Sequence, residues 1–216
     1  MKKAFIACGL LKPDLELLID EIKPELDIFW LDAKLHSSPE KLKNEIQETV
    51  NSLSGYDQII LSYALCGNAL IGLSATTADI YYLKTDDCIS ALMCEHSCLF
   101  DLRRRSLFTN RSWLASSLAG NDEVSYTIEK YGEEQAKEII DMMYTHYKNT
   151  VYMQTEEVID EQVLQKAQKL ADYTTTELTF EPASMDVYRA LLNGKKHDLI
   201  FTLKKGDTIA FDDFYV

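Results

Sequence analysis

Residues 57–68 read DQIILSYALCGN, an apolar run that closes on Cys66, Gly67 and Asn68. Its first nine residues, DQIILSYAL, are apolar enough to lie centrally in a sheet, covered on both faces, as buried parallel strands are. What flanks this strand decides the architecture. Upstream, KAFIAC (3–8) is a short strand, and KPDLELLIDEIK (12–23) places Leu15, Leu18, Ile19 and Ile22 at helical spacing. LDIFWLDA (26–33) reads as a second strand. Ser38 and Pro39 then open a helix as N-cap and first helical residue, and it runs to Gly55.

Downstream, NALIGLSA (68–75) reads as a helical or turn segment, ADIYYLKT (78–85) as a strand and CISALMCEHSCLFDLRRR (88–105) as one helix. Strands separated by short helices predict right-handed crossovers. The expected fold is α/β: an open, mostly parallel, doubly wound Rossmann-like sheet with helices on both faces. Residues 1–105 form this core, and 106–216 extend the same sheet or build a second lobe. In that half, SLFTNRSWLASSL (106–118) reads as strand, turn and helix, and 129–148 as one amphipathic helix. TVYMQTEE and TELTFEPA are strands, with a helix between them. SMDVYRALLNG is a helix with Gly194 at its C-cap, and 197–214 supplies the last strands around a Lys205-Gly206-Asp207 turn.

The net charge of −13 opposes nucleic-acid binding and attachment to an anionic membrane, since both need a positive surface. No run approaches the ~20 apolar residues of a membrane span. MKKAFIACGLL has a short apolar stretch that meets Lys12-Pro13-Asp14 without a cleavage pattern, so it reads as a first core strand in a cytoplasmic protein. Five cysteines in such a chain argue for thiols, metal ligands or redox chemistry ahead of a disulfide framework.

The cysteines fall at strand ends. Cys8 follows the first strand, Cys66 the third and Cys88 the fourth, while His36 follows the second. In an open parallel sheet the carboxyl ends of the strands share one edge, where ligands bind. Three thiols and an imidazole make the ligand set of a Cys₃His zinc site; three cysteines alone can hold an iron–sulfur cluster. A thiol at a strand-to-helix turn also feels the positive end of the helix dipole, which favours the thiolate. The plain alternative is that buried cysteines serve as small hydrophobes. Asp87, beside Cys88, is a general-base candidate or a helix cap. Gly67 and Asn68 are candidate cofactor contacts, Asn68 alternatively capping the following helix. A rival cluster is Cys94, His96 and Cys98 together with Cys88; Cys94 and Cys98 stand at i and i+4 on one helix among Leu92, Met93, Leu99 and Phe100.

The blocks ACGLLKPDLELL, LDAKLHSSPEKL, YALCGNALIGL and DDCISALM resemble an uncharacterised bacterial and archaeal family, domain of unknown function sixteen thirty-eight. The likeness continues through Trp113, the 129–149 segment and LLNGKKHDLIFTLKKGD. It implies that Cys8, His36, Cys66, Gly67, Asn68 and Cys88 are the recurring positions and that Cys94 and Cys98 are not. It also implies a setting in corrinoid-linked methyl transfer, with a small-molecule substrate or a corrinoid protein as partner. The combined expectation is a zinc-binding protein, enzyme or accessory factor. One alternative is an iron–sulfur protein on the same cysteines. Another is a cofactor-independent two-cysteine racemase or isomerase, to whose Cys-Asn-Thr block LCGNAL is loosely similar.

Overall fold

The computed structural model describes residues 1–116 and 121–214, in two compact units. One unit comprises Met1–Leu92 and the segment from Met185 onward; the other is Met93–Ser184.

The first unit is built on a five-stranded sheet. Strands β1 (Lys3–Cys8), β2 (Asp27–Leu31), β3 (Gln58–Leu61), β4 (Asp79–Leu83) and β8 (Ile200–Leu203) lie in the order β2-β1-β3-β4-β8. The first four are parallel, and β8 joins β4 antiparallel. This is the expected mostly parallel, Rossmann-like α/β sheet, with helices around it. β1 and β3 occupy the middle, and Ala4, Phe5, Ile6, Ile59 and Leu61 are fully buried there. Helix α1 (Lys12–Ile22) has Pro13 in its first turn and buries Leu15 and Leu18. Helix α2 (Pro39–Ser52) starts as read: the Ser38 side chain accepts from the Lys41 N–H, with Pro39 at the first position. Its buried Leu42, Ile46 and Val50 repeat at four-residue spacing.

Of the helix or turn read after β3, residues 66–72 form the turn, because Cys66, Gly67 and Asn68 all take positive φ. Two local readings change. The helix expected over 88–105 is two short ones, α3 (Cys88–Leu92) and α4 (Leu99–Arg103), separated by turns around His96. Cys94 and Cys98 therefore do not share a helical face. Beyond β8, the chain turns at Lys205–Asp207 and returns with a single bridge between Thr208 and Ser74, where strands had been expected.

The second unit carries a parallel sheet in the order β5-β6-β7, from β5 (Ser106–Thr109), β6 (Asn149–Gln154) and β7 (Glu177–Pro182). Helix α5 (Arg111–Ala115) follows β5, capped by the Asn110 side chain on the Trp113 N–H; the rest of the helix expected there lies outside the described residues. The single helix read over 129–148 is divided by Gly132 at φ +77° into α6 (Asn121–Tyr131) and α7 (Glu133–Tyr144). Helix α8 (Glu161–Thr174) starts at an Asp160 cap and buries Ala167 and Leu170 against Tyr152 and Leu114. No helix among the described residues is long and apolar enough to cross a membrane.

Candidate functional site

The carboxyl ends of β1, β3 and β4 are held level by hydrogen bonds that continue past the strands. The Cys8 N–H donates to the Ser62 hydroxyl at 2.7 Å, and the Ser62 N–H donates to the Ile6 carbonyl at 3.1 Å. On the other side, Leu65 N–H donates to Thr85 O at 2.9 Å and Cys66 N–H to Asp86 O at 2.8 Å. Cys8, Cys66 and the residues just before Cys88 are thus tied into one edge.

His36 enters from the turn after β2, a 3₁₀ stretch from Ala33 to Ser37 whose start is capped by the Asp32 side chain accepting from the Lys34 N–H. Two close approaches bring this turn to the edge. A Cβ on Gly9 would lie 2.5 Å from the Leu31 carbonyl oxygen and 2.9 Å from the Ala33 nitrogen, so only glycine lets β1 end so near β2. A Cβ on Gly67 would lie 3.2 Å from the Pro39 ring. As a result His36 Nε2 stands 3.7 Å from Cys8 Sγ, and its ring stacks at 25° on Tyr63 with centroids 6.2 Å apart. The edge of a tetrahedral shell between a zinc-bound sulfur and nitrogen is about 3.5 Å, from bonds of ~2.3 and ~2.0 Å. The Cys8–His36 pair has nearly that span.

The three thiols belong to one electrostatic cluster. Burial pushes Cys8 up to about 11, although the Leu10 and Leu11 backbone N–H groups and Tyr63 pull it down. Burial raises Cys66 further, with Cys8 and Asp87 adding repulsion, and raises Cys88 with Cys66, Cys8 and Asp87. Backbone N–H groups pull each thiol down, Leu10 and Leu11 at Cys8, Ala64 at Cys66 and its own N–H at Cys88, and at each burial outweighs them. Cys66 has no helix after it, and Cys88 opens a helix of five residues. Burial also pushes His36 below the ordinary imidazole value, with the Ala33 carbonyl opposing. The histidine is neutral at physiological pH, the form that ligates metals.

Asp87 lies in the same cluster, and its side chain accepts from the Ser90 N–H at 3.0 Å, capping α3. Gly67 and Asn68 sit exposed on the turn. In the second unit, His96 Nε2 is 3.1 Å from Glu181 and Cys98 is exposed. Among the described residues no group of three or more His, Cys, Asp or Glu stands in metal-holding geometry.

Two residues at the edge escaped the sequence. Tyr63 and Tyr188 are 1% and 0% exposed, and neither hydroxyl has a hydrogen-bond partner among the described residues; nor does His36 Nδ1. Tyr188 comes from α9 (Asp186–Leu192), which packs on α1 and on α3. Its only sequence signal is a phenol among the aliphatic core positions Val187, Leu191 and Leu192.

A family model described as Protein of unknown function (DUF1638) matches residues 30–192, about three quarters of the chain. The chain belongs to that family. Within this DUF1638 match lie His36, Cys66, Gly67, Asn68, Asp87 and Cys88, while Cys8 precedes it. No curated protein and no solved structure matches the chain.

Proposed function

We propose that this protein binds one zinc ion at the carboxyl edge of its first sheet, through Cys8, Cys66, Cys88 and His36. What supports the reading is that one tied sheet edge carries Cys8, Cys66 and the approach to Cys88, with His36 entering beside Cys8. Cys8 and His36 stand 3.7 Å apart, and the groups acting on the thiols from neighbouring side chains include one another and Asp87, all potential anions. A soft divalent cation suits such a donor set. The unpartnered buried His36 Nδ1 and tyrosine hydroxyls supply polar atoms that an apolar thiol cluster would not need.

Bound zinc would keep the cysteines as thiolates and act as a Lewis acid on an incoming thiol or water. The family resemblance suggests methyl transfer to or from a corrinoid partner as the setting, with this chain as the enzyme or its accessory factor. The metal-free isomerase alternative needs a thiolate at neutral pH, and burial holds Cys8 and Cys66 protonated.

The test is metal analysis of protein purified without air. About one zinc per chain is expected, lost on Cys8→Ser, Cys66→Ser or Cys88→Ser, and held less tightly in His36→Ala. Brown protein carrying iron and sulfide, unaffected by His36→Ala, would replace zinc with an iron–sulfur cluster on the same cysteines. A chain that takes up neither metal on reconstitution overturns the reading.

A further inference from the structure

Tyr63 and Tyr188 bring two phenols to the thiol cluster from opposite directions in the sequence. Tyr63 lies in the extended segment between β3 and Cys66, stacked on His36. Its hydroxyl is near enough to the Cys8 sulfur to act on it, yet outside hydrogen-bond geometry. Tyr188 sits on α9, the helix packed against α3, which Cys88 opens. It feels Cys88, Cys8, Cys66 and Asp87, and burial keeps it a protonated phenol, a donor. Tyr63 is likewise raised by burial.

A buried hydroxyl without a partner is costly, and folded proteins satisfy nearly all of them. Two beside one cluster need a common acceptor. A thiol is a weak one, whereas a metal-bound thiolate carries negative charge and accepts well. Zn²⁺ with three thiolates and a neutral imidazole has a net charge of −1, and among the described residues neither lysine nor arginine figures in the groups that act on these cysteines.

We propose that the Tyr63 and Tyr188 hydroxyls are positioning donors that hydrogen-bond the thiolates of the loaded site and hold its negative charge in the buried edge. This rests on the metal reading above. The phenols make no bond to the ion. They fix the sulfur lone pairs and reduce the charge left on them, as outer partners do at other metal sites.

The inference predicts opposite signs in the two states. Without metal, removing an unpaired hydroxyl relieves the protein; with metal, it removes a donor. Tyr63→Phe and Tyr188→Phe keep ring volume, and Co²⁺ serves as a visible substitute for zinc. Each variant is expected to bind Co²⁺ at least about tenfold more weakly than wild type. Each should also shift the thiolate-to-cobalt charge-transfer band, while the metal-free Tm stays equal or rises. If wild type binds Co²⁺ and both variants match it in affinity and spectrum, the inference falls and the metal reading stands. A lowered metal-free Tm in both variants, with unchanged spectra, would also overturn it, since the hydroxyls would then have a structural partner. If wild type takes up neither Co²⁺ nor zinc, the metal reading fails and this inference with it.

Discussion

Cys66 is held at φ +45°, Gly67 at +69° and Asn68 at +72°, so three successive residues take the left-handed conformation. For an L residue with a Cβ that costs roughly 1–2 kcal/mol, and such strain persists where surrounding structure fixes it. Here the fixing contacts are the Cys66 N–H bond to Asp86 and the seat of Gly67 against Pro39. Gly67→Ala should therefore lower unfolding free energy by about 1–2 kcal/mol, adding a left-handed penalty to a tight contact. Asn68→Gly, relieved of a side chain at positive φ, should be neutral or slightly stabilising. Chemical denaturation of the metal-free protein measures both, and an unchanged midpoint for Gly67→Ala would contradict this account. The sequence announced the turn through Cys-Gly-Asn. It did not decide between turn and helix for the residues that follow, because that depends on contacts to Asp86 and Pro39, which are distant in the chain.

Between elements, the decisive approach is that of β1 to the turn after β2. Gly9 has backbone atoms at 2.5 and 2.9 Å from where a Cβ would sit, and backbone cannot swing aside as a side chain can. Gly9→Ala should cost about 1–3 kcal/mol. Because the displaced atoms belong to Leu31 and Ala33, it should also move the turn carrying His36 and weaken zinc retention; retention equal to wild type would disprove the link. Elements defined by short-range signals were legible: the Ser38-Pro39 start of α2 and the apolar strands β1 and β3. Elements whose ends depend on one residue's φ were not. Gly132 divides α6 from α7, and turns around His96 divide α3 from α4. That second break removes the i, i+4 geometry of Cys94 and Cys98, both of them exposed. Replacing both with serine should leave the zinc stoichiometry of the purified protein unchanged, and loss of the ion would return the site to that segment.

At the scale of the molecule, the sheet that carries the site is completed by residues nearly two hundred positions from its start. β8 pairs antiparallel with β4, and Tyr188, whose buried phenol feels the thiols, comes from α9, just before β8 in the chain. Periodicity identified these segments as strand and helix but could not say which sheet they would join, since the intervening residues form a parallel sheet of their own. One surface clasp secures the returning strand. Asp79, at the start of β4, accepts from the Lys204 ammonium at 2.8 Å and from the Lys205 N–H at 2.9 Å, at the far end of β8. These two bonds, with the Lys204 hydrogen bond the larger influence, hold the Asp79 carboxyl below its ordinary value. A depressed folded pKa means that the contribution is complete above the ordinary aspartate range and is lost as pH falls through the folded value. Asp79→Asn should therefore lower Tm by a few degrees at neutral pH, as expected for an exposed pair with one backbone bond. The gap should begin to narrow as pH falls through the ordinary aspartate range, about 4, and close only further down, where folded wild-type Asp79 takes up its proton. Tm measured for both proteins from pH 7 to pH 3 checks the sign: a gap that widened on acidification would mean that the carboxylate destabilises this edge.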